Sequence, residues 1–230
     1  MKHITCRTYK SFTFGSSEKL TEIQLEKLME CFGVATRPLE GGLEGRTSVT
    51  RIHLEGIGPV VVKHYIRGGF IGRFNKHFYL NLGKSRPGIE YEQLLRAKDA
   101  GINVPEPVCF ASRGMLFYRA WLVTRAIERP RSLAQLGMKD LTSAVSVVKT
   151  LIPQFKRLLD SRIYHKDLHP GNVLIDKKNK IFIIDFDKAG VFRGDKKTLL
   201  DRYLKRWERA VTKYGLPEEI HSTLHKELIK

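Results

Sequence analysis

The sequence predicts an α+β chain in two lobes. Strand-like runs joined by turns fill the first half, to about residue 125. Amphipathic helical runs dominate the rest, and a carboxylate-rich hairpin at 164–190 lies between two of them. The expected division is a mostly antiparallel N-terminal sheet lobe over 1–125 and a short helical C-terminal lobe over 126–230.

The elements follow in order. "LTEIQL" at 20–25 starts a helix. Thr21 and Gln24 have the spacing of a capping box, and Leu20 and Leu25 that of a hydrophobic staple. Leu25, Leu28, Met29 and Phe32 continue its apolar face. "SVTRIHLEGIGPVVVKHY" predicts two strands around a Gly/Pro turn, the second dense in β-branched residues. A helix is expected over Pro87–Ala100, with Pro87 in its first turn and Gly101 just past its end. "GINVPEPVCF" runs from loop into strand, and "MLFYRAWLVTRAI" gives two further strand-like runs. Residues 140–163 are mostly helical, with Val148, Leu151, Ile152, Phe155, Leu158 and Leu159 on one side. Pro153 should kink or restart that helix. Residues 195–214 are amphipathic, with Leu200, Tyr203, Leu204, Trp207, Val211 and Tyr214 facing one way.

Composition bounds the partners. The 230 residues are 42% hydrophobic, as in a globular chain rather than a disordered one. Lys and Arg number 41 against 24 Asp and Glu, a formal charge of +17. That excess predicts an anionic partner: nucleic acid, an anionic membrane surface or phosphorylated sugars. Motifs of nucleic-acid-binding folds are absent, so nucleic acid is not expected. Cys6, Cys31 and Cys109 lack metal-ligand spacing and suit reduced thiols. No run approaches the ~20 apolar residues of a membrane span, and the first ten residues lack the apolar core of a secretory signal. A cytoplasmic protein is expected.

The chemistry concentrates in "YHKDLHPGNVLIDKKNKIFIIDFDKAG". Asp167 and Asn172 are five residues apart across a Pro-Gly turn, and Asp185 follows thirteen residues later. "NVLID" and "KIFIID" read as two strands around "KKNK", a hairpin that returns Asp185 to the neighbourhood of Asn172. Phosphoryl transfer uses such a set: one carboxylate for the attacking hydroxyl, and an amide with a second carboxylate for Mg²⁺, a hard cation that takes oxygen ligands. The stretch resembles the kinase pattern H-x-D-x-x-x-x-N followed by D-F-G, with Asp187 in place of the glycine. The resemblance implies Asp167 as catalytic base, Asn172 and Asp185 as metal ligands, ATP and Mg²⁺ as cofactors, and His165 as a structural residue.

A kinase also needs a strand lysine paired with a helix glutamate. "PVVVKHY" places Lys63 at the end of its strand, and "GIEYEQLL" offers Glu90 beside the inward face and Glu92 on the polar side, so Glu90 is the expected partner. "EGGLEGRTSV" supplies Gly42 and Gly45 as candidates for a phosphate-covering loop, although an ordinary hairpin turn explains it equally well. The sequence holds no A-P-E after Asp185 and ends at Lys230, which argues against a protein acceptor.

Taken together, residues 45–210 resemble the bacterial lipopolysaccharide kinase family. The resemblance rests on "YIRGG" after the strand lysine, "E-Y-x-x-L-L" leading to "AGINVPEPV", "HKDLHPGN", "IDFDKAG" and a basic helix at the end. It implies a two-lobed protein-kinase-like fold and phosphorylation of an inner-core sugar, 3-deoxy-D-manno-octulosonic acid (Kdo) or heptose, with "IDFDK" leaning to Kdo and "LHPGN" to other branches. A soluble aminoglycoside- or choline-type phosphotransferase is the alternative, and an excess of positive charge suits a cationic acceptor poorly. A non-catalytic basic binding module is a third reading, opposed by the presence of Lys63, Asp167, Asn172 and Asp185.

Between His64 and Arg86 there is no acidic residue. Arg67, Arg73, Lys76, Lys84 and Arg86 alternate with Tyr65, Phe70, Phe74, Phe78 and Tyr79. That pattern fits a core helix, a helix on the inner face of the membrane, or a grip on a lipid-linked anionic acceptor. Lys196, Lys197, Arg202, Lys205, Arg206, Arg209 and Lys213 give the helix at 195–214 either a solvated face or an acceptor contact.

Overall fold

The computed structural model describes residues 3–33, 48–65, 79–80, 85–114 and 117–230. Gly42 and Gly45 lie outside the described residues, as does most of the basic, aromatic segment. The chain divides into two compact units, Met1–Leu95 with Glu106–Ala126, and Arg96–Pro105 with Ile127–Lys230.

The first unit opens with a hairpin, β1 (Thr5–Tyr9) and β2 (Phe12–Ser16), closed by Lys10 and Ser11. Sequence reading passes over it, because Lys-Ser lacks the Gly or Asn that marks two-residue turns. Lys10 nonetheless adopts φ 51°. Helix α1 (Glu22–Gly33) starts with the expected capping box: the Thr21 N–H donates to Gln24 Oε1 (3.0 Å) and the Gln24 N–H to Thr21 Oγ1 (3.3 Å). Leu20 and Leu25, the staple pair, are both buried.

Strands β3 (Ser48–Leu54) and β4 (Gly58–His64) form the predicted hairpin. The short β5 (Tyr79–Leu80), helix α2 (Arg86–Asp99) as far as Leu95, β6 (Pro107–Arg113) and β7 (Phe117–Arg125) complete the unit, and the last turn of α2 is counted with the second. Its sheet has the order β1-β2-β6-β7-β4-β3, every neighbour antiparallel, and β5 also pairs with β7. Where two strand-like runs are expected after Gly114, one nine-residue strand forms. It lies between β6 and β4, so side chains on both its faces, Trp121 and Val123 on one and Ala120 and Leu122 on the other, are buried.

The period of two sorts the sheet's faces. Phe12, Phe14, Val60, Val62, Cys109, Ala111, Trp121 and Val123 form one core with Leu25, Leu28 and Phe32 of α1. The intervening residues serve α2: Phe110 meets Tyr91 with ring centroids 5.5 Å apart, and Lys63 reaches Glu90.

The second unit runs through β8 (Arg131–Ser132), α3 (Leu133–Lys139), α4 (Leu141–Asp160) and β9 (Ile163–Tyr164). Then come β10 (Val173–Ile175), β11 (Ile181–Ile183), β12 (Gly190–Val191), α5 (Lys196–Lys213) and α6 (Glu219–Ile229). Of the two expected outcomes at Pro153, a kink or a restart, the restart does not occur: α4 is one helix across it. Pro153 is exposed, while Val148, Leu151, Phe155 and Leu158 are fully buried on both sides of it. Burial of that stripe offsets the ~3 kcal/mol an interior proline costs a helix. On α5 the inward face begins at Leu199, not Leu200, and continues through Tyr203, Trp207 and Val211. Helix α6, which sequence reading does not anticipate, covers Trp207, whose Nε1–H donates to the Ile220 carbonyl (3.2 Å).

Two local devices hold the elements that carry the chemistry. The first ends α2. Gly101 has φ 74°, its N–H donates to the Lys98 carbonyl (2.9 Å), and the Ile102 N–H reaches back to Ala97 (2.9 Å), the two bonds of a Schellman motif. The second is His165, which is 1% exposed. Its Nε2–H donates to the Ile184 carbonyl (2.9 Å), since a carbonyl can only accept, and its ring meets Phe186 edge-on at 4.6 Å. Burial depresses its pKa, opposed by the Ile184 hydrogen bond and by the charges of Asp185 and Asp167.

Gly101→Ala is expected to lower stability by about 1–2 kcal/mol, because a Cβ residue must adopt the left-handed region there. Urea titration measures this. His165 predicts a pH effect. The unfolded chain protonates this residue near ~6.5 and the folded chain only at lower pH, so its contribution is complete above ~6.5 and is lost as pH falls below it. The melting temperature should therefore fall between pH 7.5 and 5.5, and fall less in His165→Gln, as thermal denaturation at both pH values would read.

Candidate active site

In the first unit, β4 carries Lys63 between Val49 of β3 and Leu122 of β7. Pairing on both sides leaves the strand little freedom. Lys63 Nζ lies 3.0 Å from Glu90 Oε1 and 2.9 Å from Oε2. The side chains are 18% and 3% exposed, so this pair is largely withdrawn from water. Removing one partner from such a pair is costly, because the other charge stays buried. Tyr65, which sequence reasoning does not assign to the site, donates its hydroxyl to Glu90 Oε2. The Lys63 and Arg86 cations stand 5.2 and 5.5 Å from its ring centre. Glu92 is half-buried and belongs to a different part of the helix surface.

In the second unit, β9 pairs with β12, bringing Tyr164 opposite Gly190. The loop from His165 to Asn172 leaves this clamp and turns through Pro170–Asn172. The Gly171 N–H donates to His169 Nδ1 (3.1 Å), and His169 is itself buried. Strands β10 and β11 then form the expected hairpin, with Asp176 Oδ1 accepting from the Lys178 and Lys180 N–H groups (2.8 Å each). On its return the Ile184 N–H donates to the Asn172 carbonyl (3.0 Å). Both backbone groups of Ile184 are thus fastened, one to Asn172 and one to His165, immediately before Asp185. Asp185 takes a left-handed conformation, φ 66° and ψ 61°, which an Asp side chain tolerates better than most.

The hairpin therefore gathers the three polar residues. Asn172 donates its Nδ2–H to the Asp167 carbonyl (2.9 Å), which commits the amide nitrogen and leaves Oδ1 as the end that could hold a metal. Asp167 receives Arg206 of α5, with Nε 3.0 Å and Nη2 2.5 Å from Oδ1. Sequence reading counts Arg206 only as one of seven basic residues on this helix. Nothing in its spacing sets it apart, since the partner lies 39 residues away.

The donor set suits Mg²⁺ bound with a phosphate ligand. Among the described residues no group of three or more His, Cys, Asp or Glu side chains could hold a metal. Asn172 and Asp185 together offer only part of an oxygen shell. Mg²⁺ takes such sites, one or two carboxylates with substrate phosphates and water completing the rest.

Comparison with known proteins agrees with this chemistry. Residues 39–226 match the model of the lipopolysaccharide kinase (Kdo/WaaP) family. A 3-deoxy-D-manno-octulosonic acid kinase from Vibrio cholerae is 30% identical over 160 residues, covering 67% of this chain and 68% of its own. One from Vibrio vulnificus strain CMCP6 is 31% identical over 192 residues, 81% and 79% of the two chains. Another, from Mannheimia succiniciproducens, is 34% identical over 166 residues, 67% and 68%. The family match takes in the Lys63–Glu90 pair as well as the Asp167–Asp185 hairpin. On that extent the chain belongs to the lipopolysaccharide kinase family, enzymes that transfer phosphate to an alcohol group.

Proposed function

We propose that the chain transfers the γ-phosphate of ATP, with Mg²⁺, to a hydroxyl of Kdo linked to lipid A. The observation that carries this reading is the gathering of Asp167, Asn172 and Asp185 on one hairpin, in a chain similar to several Kdo kinases. The same relatives favour Kdo over heptose and over a soluble aminoglycoside- or choline-type acceptor.

Asp167 orients the acceptor hydroxyl and takes its proton as the oxygen attacks. Asn172 and Asp185 hold Mg²⁺, which when bound offsets the charge of the phosphates. Lys63, kept in place by Glu90, binds the nucleotide phosphates. An anionic acceptor agrees with the formal charge of +17. Lys196, Lys197, Arg202, Lys205, Arg209 and Lys213 are exposed on α5. Each basic residue near an anionic bilayer contributes about 1 kcal/mol. These residues support a peripheral position on the cytoplasmic side of the inner membrane, where a lipid-linked sugar is within reach. Among the described residues no helix is long and apolar enough to cross a membrane.

Labelled ATP with Kdo–lipid A, heptose-bearing and aminoglycoside acceptors tests the proposal. Labelling of Kdo–lipid A is expected, with Asp167→Ala lowering the rate about 10²–10⁴-fold. Parental turnover by Asp167→Ala would overturn the mechanism, and labelling confined to another acceptor would overturn the substrate.

A further inference from the structure

We infer that Arg206 is the positioning residue for Asp167, and that one turn of α5, Arg202–Arg206, sets the orientation of the catalytic carboxylate. The inference rests on the reading of Asp167 as the base and adds how that base is aimed.

The short strand and loop that lead to Asp167 are gripped almost residue by residue. Tyr203 donates its hydroxyl to the Ile163 carbonyl (2.5 Å) and accepts the His165 N–H (3.1 Å). The Arg202 guanidinium lies over the Tyr164 ring at 5.3 Å and over Phe192 at 5.0 Å. Arg206 then takes Asp167 with two N–H groups. Three side chains within a single helical turn thus engage residues 163, 164, 165 and 167. The turn is immobilised from behind: Tyr203 is 1% exposed, and Trp207 is fully buried and bonded to Ile220.

Both Arg206 donors converge on one oxygen. Nε and Nη2 meet Asp167 Oδ1, while Oδ2 accepts no hydrogen bond from the described residues. An aspartate carboxylate otherwise rotates freely about its terminal torsion, which has a broad, two-fold preference. Tying down Oδ1 defines which oxygen is presented to an incoming hydroxyl. The pair is 20% and 29% exposed, so water competes for it only in part. The Arg206 guanidinium is a donor only, with no acceptor site, so it cannot itself take a proton. Its effect passes through Asp167.

The test uses the full chain with labelled ATP and Kdo–lipid A. Arg206→Ala should lower kcat about 10–100-fold, the range for a misplaced reacting group. The KM for ATP should be unchanged, because the nucleotide contacts proposed here lie elsewhere. Added guanidinium ion should restore part of the rate in Arg206→Ala and none in Asp167→Ala. In an Asp167→Asn background, removing Arg206 should cost little more, since residues that act as one unit are not additive. Should Arg206→Ala not fold, Arg206→Gln keeps the aliphatic stem and an amide donor near the position of Nε without the charge, and the same cycle is run with it. Parental kcat after loss of Arg206, or an equal loss in the Asp167→Asn background, would overturn the inference. A rise in kcat would also overturn it, marking the ion pair as a latch that occupies the base. If Asp167→Ala alone retains parental turnover, the assignment of the base fails first, whatever Arg206 does.

Discussion

The fastening of Ile184 is the constraint on which the second unit's chemistry depends. A loop bearing reactive side chains must still satisfy its backbone polar groups, because an unpaired buried N–H or C=O costs as much as a lost hydrogen bond. Here the Ile184 N–H goes to Asn172 and its carbonyl to His165. One residue thereby ties the return of the hairpin to both ends of the preceding loop. Asp185 can then hold a left-handed backbone that would otherwise relax. The buried, neutral imidazole of His165 belongs to this scaffold rather than to the reacting set.

The first unit solves a different problem, that of keeping a cation in a fixed place at low exposure. Alternation along β4 sends Val60 and Val62 into the core with α1 and leaves Lys63 on the other face. Strands on both sides prevent that register from slipping. Glu90 is then close to obligatory, since an unpaired ammonium at this depth would lose its hydration without compensation. Tyr65 adds a hydroxyl to the same carboxylate and an aromatic face to two cations. The Schellman end of α2 stops the helix that presents Glu90 at a defined point.

Helix α5 joins scaffold to chemistry within the second unit. Its inner face is core, through Tyr203 and Trp207, and its outer face is cationic. Arg206 lies between the two, neither solvated like Lys205 nor buried like Trp207. An arginine in that position is more weakly hydrated than a lysine and brings a fork of donors, so it can leave water for a carboxylate at modest cost. The same helix that stabilises the unit therefore also reaches Asp167, the proposed base.

Much of this was legible in the residues. The Thr21–Gln24 box, the β3–β4 hairpin, the end of α2 at Gly101 and the Asn172–Asp185 hairpin are written in short-range chemistry, where each signal and its partner lie within one element or one turn. The kinase resemblance, carried by Lys63, Glu90, Asp167, Asn172 and Asp185, needed only their types and spacing. Tertiary structure decided the rest. It kept α4 continuous through Pro153, because a buried stripe outweighs a local break. It made one strand of two apparent runs, because β7 is paired on both edges. It also singled out Arg206 from its basic neighbours and brought Tyr65 to Glu90. Those choices depend on which distant side chain arrives at a given depth, and pairing across 39 residues leaves no mark in local composition.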